Sequence, residues 1–184
     1  WFTVYALSTE NLTRPKKELD ILFRLYTEGL RDIADDQRIH DNKVKVQVIG
    51  KRELLPKEVN DAIDYAEGKT ADYDGYVFTI CLAYGSREEM LNAIQSIAAE
   101  HAAGDLALEA IDEKAVSSRL YTGEMPDPDL VIRTSGEERI SNFLLWQMAY
   151  SELYFSDVYW PSFQKKDLLK AVRTFQDRKR RYGE

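Results

Sequence analysis

Two kinds of apolar pattern alternate along the chain. Phe2-Thr-Val-Tyr-Ala-Leu7 and Tyr76-Val-Phe-Thr-Ile-Cys-Leu82 are dense in β-branched and aromatic residues. The second is apolar on both faces, as expected of a central parallel strand. Lys43-Val-Lys-Val-Gln-Val-Ile49 instead alternates polar and apolar residues, which predicts a half-exposed strand nearer a sheet edge. Asp129–Ile132 and Ser151–Phe155 read as two further strands. Between these runs the period lengthens to three and four residues. Leu19, Leu22, Phe23, Tyr26, Leu30, Ile33 and Ala34 line one face of a long helix, with Pro15 at its start and Asp41-Asn42 at its end. Helices are also predicted from Pro56 to about Glu67, near Asp112 to Leu120, and from Gln164 to Tyr182. Another opens at the S-x-x-E capping-box pattern of Ser86 and Glu89 and runs through Met90, Leu91, Ile94 and Ile97.

Strands alternating with helices, and no repeat or low-complexity linker, predict one α/β domain over residues 1–184. Its central sheet should be mainly parallel and flanked by helices. The chain has 184 residues, 44% hydrophobic and 31% charged, with a net charge of −7. That composition excludes disorder and disfavours a nucleic-acid binder, although a local basic patch could still hold an anion. The single Cys81 excludes a disulfide scaffold and points to a reducing, cytoplasmic compartment. Within its strand it reads as a small buried hydrophobe. The longest apolar stretch, Tyr76 to Tyr84, is about half of the roughly 18 residues needed to cross a bilayer. Trp1 leads directly into a strand, with no initiator Met, so the natural sequence is expected to continue upstream.

Several chemistries are set aside by spacing. There is no G-x-S-x-G elbow and no G-x-G-x-x-G. His40 and His101 lie on helix patterns without ligand partners, and read as surface residues. Gly68-Lys69-Thr70 resembles a phosphate loop only in part, because Ile63 stands where that loop needs Gly. It reads as a helix end. Ligands of open α/β sheets gather beyond the carboxyl ends of strands. Three of the predicted strands end there in polar sets: Ser8-Thr9-Glu10-Asn11 with Arg14, Tyr84-Gly85-Ser86-Arg87, and Arg133-Thr134-Ser135-Gly136. Arg133, Arg139 and Ser141, around a glycine that lets backbone amides approach an anion, suit a phosphate. A bland alternative pairs Arg139 with Glu137 or Glu138. Glu152, within the apolar Trp146–Phe155 stretch, needs a partner, which Mg²⁺ with a diphosphate would supply.

The block from Arg133-Thr-Ser-Gly-Glu-Glu-Arg-Ile-Ser-Asn-Phe-Leu-Leu-Trp-Gln147, through Ala149-Tyr150, Glu152 and Tyr154-Phe155 to Trp160-Pro161, resembles the carboxyl-terminal signature of the cis-prenyltransferases. Tyr5-Ala-Leu-Ser-Thr-Glu-Asn11 with Arg14-Pro15, and Ala83-Tyr84-Gly85, resemble two earlier signatures of that family. The resemblance implies an enzyme that condenses isopentenyl diphosphate with an allylic prenyl diphosphate to build a Z polyprenyl chain. It assigns the isopentenyl diphosphate to Arg133, Arg139, Ile140 and Ser141. Ser8, Thr9, Glu10 and Arg14 would line the substrate site, Asn11 would assist proton removal, and Glu152 would ligate Mg²⁺. Arg181-Tyr-Gly183 resembles a motif that reaches the phosphate site across a homodimer, whose contact the Phe143–Phe155 stretch would form. The growing chain would need a hydrophobic tunnel, walled by the helix at 16–38 and the strand at 76–82. Leu12 stands where the family commonly has an aromatic. The family's upstream Asp-Gly-Asn loop is absent from these residues, so the chain is expected to be incomplete for activity on its own. Two alternatives are a non-catalytic partner subunit of a heteromeric cis-prenyltransferase and, for the tail, RNA binding. Eight Lys and Arg against three acids from 164 to 184 give that tail +5, which fits a peripheral membrane contact near lipid substrates better.

Overall fold

The computed structural model describes residues 1–123 and 125–178. The chain divides into two compact units, Trp1–Met125 and Pro126–Glu184.

The first unit is built on a parallel sheet in the order β1-β3-β2, formed by β1 (Phe2–Tyr5), β2 (Val44–Ile49) and β3 (Tyr76–Cys81). The doubly apolar strand is central and the alternating one is at an edge, as their patterns predict. In register, Ile80 lies between Val4 and Val48. Helices α1 (Lys16–Asp35), α2 (Gln37–Asp41), α3 (Lys57–Thr70), α4 (Ser86–Ala103) and α5 (Glu113–Ser117) complete it. The core gathers Leu7, Val46, Ile80 and Leu82 from the sheet side, Val59, Ala62, Ile63 and Ala66 from α3, and Leu30 and Ala34 from α1. Buried Ala34 of α1 and Ala62 and Ala66 of α3 let these two helices pack closely, with α3 laid against β2. Leu12 packs against this core.

The edge of β2 is closed by side chains of α3. Val46 N–H donates to Thr70 Oγ1 (3.0 Å) and Val48 N–H to Glu67 Oε1 (2.8 Å). An exposed row of strand donors would otherwise invite pairing with another chain. Gly68-Lys69-Thr70 is the end of α3, as the failed phosphate-loop spacing implies. At the carboxyl end of β2, Gly50 has φ +133°. A Cβ built there would lie 1.9 Å from the carbonyl oxygen of Leu82, so only glycine lets the two strand ends meet.

Two helix boundaries differ from the sequence reading. The long helix does not run unbroken to Asp41-Asn42. It stops at Asp36, whose carboxylate accepts from Arg38 N–H (2.8 Å) and starts α2. Aspartate competes with the helix by capping, and here that local preference wins. Nor do Ser86 and Glu89 form a capping box: Gly85 is the N-cap of α4, with no side-chain cap bond. The buried stripe of α4 is Ser86, Glu89, Ala93 and Ile97, while Leu91 and Ile94 are more than half exposed.

The second unit holds a parallel pair, β4 (Leu130–Arg133) and β5 (Glu152–Phe155), and helix α6 (Lys165–Asp177). Leu130 is in register with Glu152 and Arg133 with Phe155. Both strands are mostly half-buried rather than fully enclosed. The long connection between them carries left-handed backbone at Ser135, Gly136, Ser141, Asn142 and Leu144. Gln164 and Asp167 close the start of α6 with a reciprocal cap. The helix ends at Asp177, where Arg178 is extended, short of the predicted end at Tyr182; residues 179–182 of that prediction lie outside the described residues. No helix among the described residues is long and apolar enough to cross a membrane.

Candidate functional site

In the first unit the polar residues after β1 form one built turn. A 3-10 turn spans Thr9–Thr13, and Ser8 caps it. Ser8 Oγ accepts from Asn11 N–H (3.2 Å), and Asn11 Oδ1 accepts from Ser8 N–H (3.3 Å). The Asn11 side chain is thereby fixed through its oxygen, and its Nδ2 has no partner among the described residues. Thr13 Oγ1 donates to the Glu10 carbonyl (2.8 Å), and Arg14 lies 3.8 Å from Glu18.

This turn is suspended from Tyr84, just beyond β3. Tyr84 N–H donates to the Leu7 carbonyl (3.1 Å), and its own carbonyl accepts from Thr9 N–H (3.0 Å) and from the Tyr5 hydroxyl (3.0 Å). The Tyr84 side chain is fully buried, and its hydroxyl donates to Glu89 Oε2 (2.5 Å). Burial, reinforced by Glu89, pushes the Tyr84 phenol far above its usual range, so it remains a neutral donor. Burial and Glu10 do the same for Tyr5. Cys81 is buried and its thiol is likewise held protonated, which fits the inert role read from the sequence. Of the two histidines, His101 is exposed, whereas His40 is half-buried and bonds the Tyr73 hydroxyl (2.8 Å).

In the second unit, Arg133 ends β4 and its guanidinium has no partner among the described residues. Arg139 is paired with Glu137, one of the two acidic neighbours that could engage it, and its side chain is 64% exposed. Ile140 is 39% exposed, and Ser141 has φ +54°. The turn glycine does not offer its amide to an anion: Gly136 N–H donates to the Ser156 carbonyl (2.9 Å) and Ser135 N–H to the Val158 carbonyl (2.9 Å). Those donors instead tie the turn to the chain after β5. Glu152 is not an unpartnered carboxylate. Arg178 Nη1 lies 2.5 Å from Glu152 Oε2 and 3.2 Å from the Leu153 carbonyl. Glu152 also sits at the start of the ladder and Arg133 at its end, about 10 Å apart at the usual rise per residue. No group of three or more His, Cys, Asp or Glu side chains suited to a metal ion occurs among the described residues. Arg181 and Gly183 lie outside the described residues.

Sequence reading missed Arg178 and took Glu89 for a helix cap rather than a buried carboxyl group. Glu89 was readable in part, because it shares a four-residue period with Ala93 and Ile97. Arg178 is distant in sequence from Glu152, and no local pattern joins them.

A prenyltransferase family model described as "Putative undecaprenyl diphosphate synthase" matches residues 1–183. The chain is 52% identical over 181 residues to a tritrans,polycis-undecaprenyl-diphosphate synthase (geranylgeranyl-diphosphate specific) of Pyrococcus horikoshii, covering 98% of this chain and 69% of that protein. Lavandulyl diphosphate synthase from Lavandula x intermedia, crystallised with dimethylallyl diphosphate, superposes with a TM-score of 0.93 at 38% identity, over 99% of this chain and 78% of that one. A probable undecaprenyl diphosphate synthase from Campylobacter jejuni gives a TM-score of 0.85 at 31% identity, over 99% and 82%. The match runs through both units and includes the signatures around Asn11, Tyr84 and Arg139, and the chain belongs to the cis-prenyltransferase family.

Proposed function

We propose that the protein is a polyprenyl diphosphate synthase that joins isopentenyl diphosphate to an allylic prenyl diphosphate and leaves a Z double bond in each added unit. The observation that carries this reading is the 52% identity to a synthase of that kind over 98% of the chain. The same relative makes geranylgeranyl diphosphate the proposed primer.

In the reaction, C4 of isopentenyl diphosphate bonds to C1 of the allylic substrate. The C1–O bond breaks, diphosphate departs with the electron pair, and a proton lost from C2 forms the new double bond. Negative charge grows on the leaving group, so fixed cations that meet it lower the barrier. Arg133, Arg139, Ile140 and Ser141 are assigned to the isopentenyl diphosphate, with the arginine forks suited to bidentate contact. Ser8, Thr9, Glu10 and Arg14 are assigned to the substrate-lining turn. Asn11, locked by Ser8 with Nδ2 uncommitted among the described residues, is assigned to the proton-loss step. Arg181 and Gly183 are assigned to the phosphate site across a homodimer. Within that dimer, Phe143–Phe155 forms the contact, with Tyr150 90% exposed in the single chain.

Glu152 is the assigned Mg²⁺ ligand. A single half-buried carboxylate suits a cation that takes most of its ligands from water and substrate phosphate, and Arg178 holds the same oxygen until it is displaced. Bound Mg²⁺ would neutralise diphosphate charge. The apolar face of α1 and β3 are proposed as walls of a hydrocarbon tunnel. Localisation is proposed as cytoplasmic with peripheral membrane contact. The test is incorporation of labelled isopentenyl diphosphate into solvent-extractable product by the full gene product. Magnesium- and primer-dependent incorporation, sharply reduced but measurable in Asn11→Ala, is expected. Primer-independent or absent incorporation would overturn the reading.

A further inference from the structure

Glu89 is fully buried in the first turn of α4, yet no part of the proposed chemistry uses it. A carboxylate loses most of its hydration in such a place and must be matched by donors. The Tyr84 hydroxyl donates to Oε2 (2.5 Å) and Tyr121 N–H donates to Oε1 (2.8 Å). Tyr121 is held to α4 a second time, since Asn92 Nδ2 donates to its hydroxyl (2.5 Å). Tyr84 and Tyr121 also meet edge to face, with ring centroids 6.3 Å apart. Glu89 therefore ties the Tyr84 ring to α4 and to the segment after α5.

The main chain of Tyr84 is what the Ser8–Asn11 turn hangs from. It contributes the Leu7 and Thr9 hydrogen bonds and the Ser8 to Tyr84 bridge. Thr9 in turn presents its N–H to Tyr84, and the next link, the Ser8 cap, orients Asn11. A second contact runs directly from α4 to the turn, with Thr9 Oγ1 3.4 Å from Glu88 Oε1. We propose that Glu89 is a positioning residue for the Ser8–Asn11 turn, acting through Tyr84 rather than touching substrate. The catalytic half of this inference rests on the assignment of Asn11 above.

Glutamine can keep both contacts, because its carbonyl accepts from Tyr121 N–H while its amide donates to the Tyr84 oxygen. Alanine keeps neither. The experiment measures amide hydrogen exchange and steady-state kinetics for Glu89→Ala, Glu89→Gln and Tyr84→Phe in the full gene product. In Glu89→Ala, the Thr9 and Asn11 amides should exchange about tenfold faster or more, while the Val46 amide, held by Thr70 on the far edge of the sheet, is unchanged. Turnover should fall in step, Glu89→Gln should restore most of it, and adding Glu89→Ala to Asn11→Ala should cost little more. If Glu89→Ala does not fold, Tyr84→Phe carries the same test. Unchanged exchange at Thr9 and Asn11, or an equal rise at Val46, would overturn the proposal. A loosened turn with normal turnover would instead leave the positioning in place and remove Asn11 from the chemistry.

Discussion

Arg139 allows the diphosphate assignment to be tested with two substitutions of opposite sign. In the free protein its guanidinium is paired with Glu137, and the two side chains are 64% and 40% exposed. An ion pair so open to water contributes about 0.2–1 kcal/mol, because solvent screens it and both side chains lose freedom. Charge-assisted hydrogen bonds to a diphosphate are worth about 1.5–3 kcal/mol. Exchanging one partner for the other is therefore favourable by about 0.5–2.8 kcal/mol, and Arg139→Ala should weaken isopentenyl diphosphate binding by about two- to a hundredfold. Glu137→Gln removes the competitor without removing the ligand, so binding should tighten by up to about fivefold. Calorimetric titration of the full gene product with isopentenyl diphosphate, and separately with an allylic diphosphate, reads both effects. Weaker binding in Glu137→Gln, or equal losses for both substrates in Arg139→Ala, would refute the assignment.

Three further outcomes are expected from the contacts described. Thr70→Val, nearly isosteric, leaves the buried Val46 N–H without its acceptor and should cost about 1–3 kcal/mol in urea unfolding; no loss would mean that the edge of β2 is satisfied by other means. Arg178→Gln frees Glu152 from its cation and should lower the Mg²⁺ concentration for half-maximal turnover by up to about fivefold, whereas an increase would argue against Glu152 as ligand. Arg119 holds the Glu100 carboxyl at about 2, below its ordinary 4.5, with Ser96 assisting. The lowered value means stability that is complete above the ordinary value and is lost as pH falls toward the folded one. The melting-temperature gap between the parent and Arg119→Gln should therefore be constant above about pH 5 and close between 4.5 and 2; a gap that persists unchanged at pH 2 would contradict the pairing.

The order of strands in the first unit was readable because side-chain pattern reports burial directly. Tyr76–Leu82 has no polar face to offer water and takes the centre, while Lys43–Ile49 has one and takes an edge. The Ser8–Asn11 turn was readable as a strand-end polar set, but not as a capped 3-10 turn hung from Tyr84, since the bonds that hold it join residues far apart in sequence. Glu89 was misread for a physical reason. S-x-x-E satisfies the local rule for a cap, and only the tertiary setting, with Tyr84 and Tyr121 as donors, draws the carboxylate inward. The break at Asp36 went the other way, with local capping overriding a continuous apolar face. In the second unit, a glycine turn suggested open amides, yet Ser135 and Gly136 spend theirs on the chain after β5. Glu152 was read as needing Mg²⁺ with a diphosphate for a partner, whereas the structure pairs it with Arg178, a residue too distant in sequence for any local pattern to suggest.

The most direct test of the central claim is the geometry of the bonds the protein makes. The full gene product would be incubated with geranylgeranyl diphosphate, isopentenyl diphosphate and Mg²⁺, and the extracted product dephosphorylated and examined by mass spectrometry and ¹³C NMR. The account predicts chains longer than the primer by whole isoprene units, with the primer's E bonds retained and every added double bond Z. Added units with E bonds, or primer recovered without elongation by a folded, magnesium-supplied protein, would contradict it.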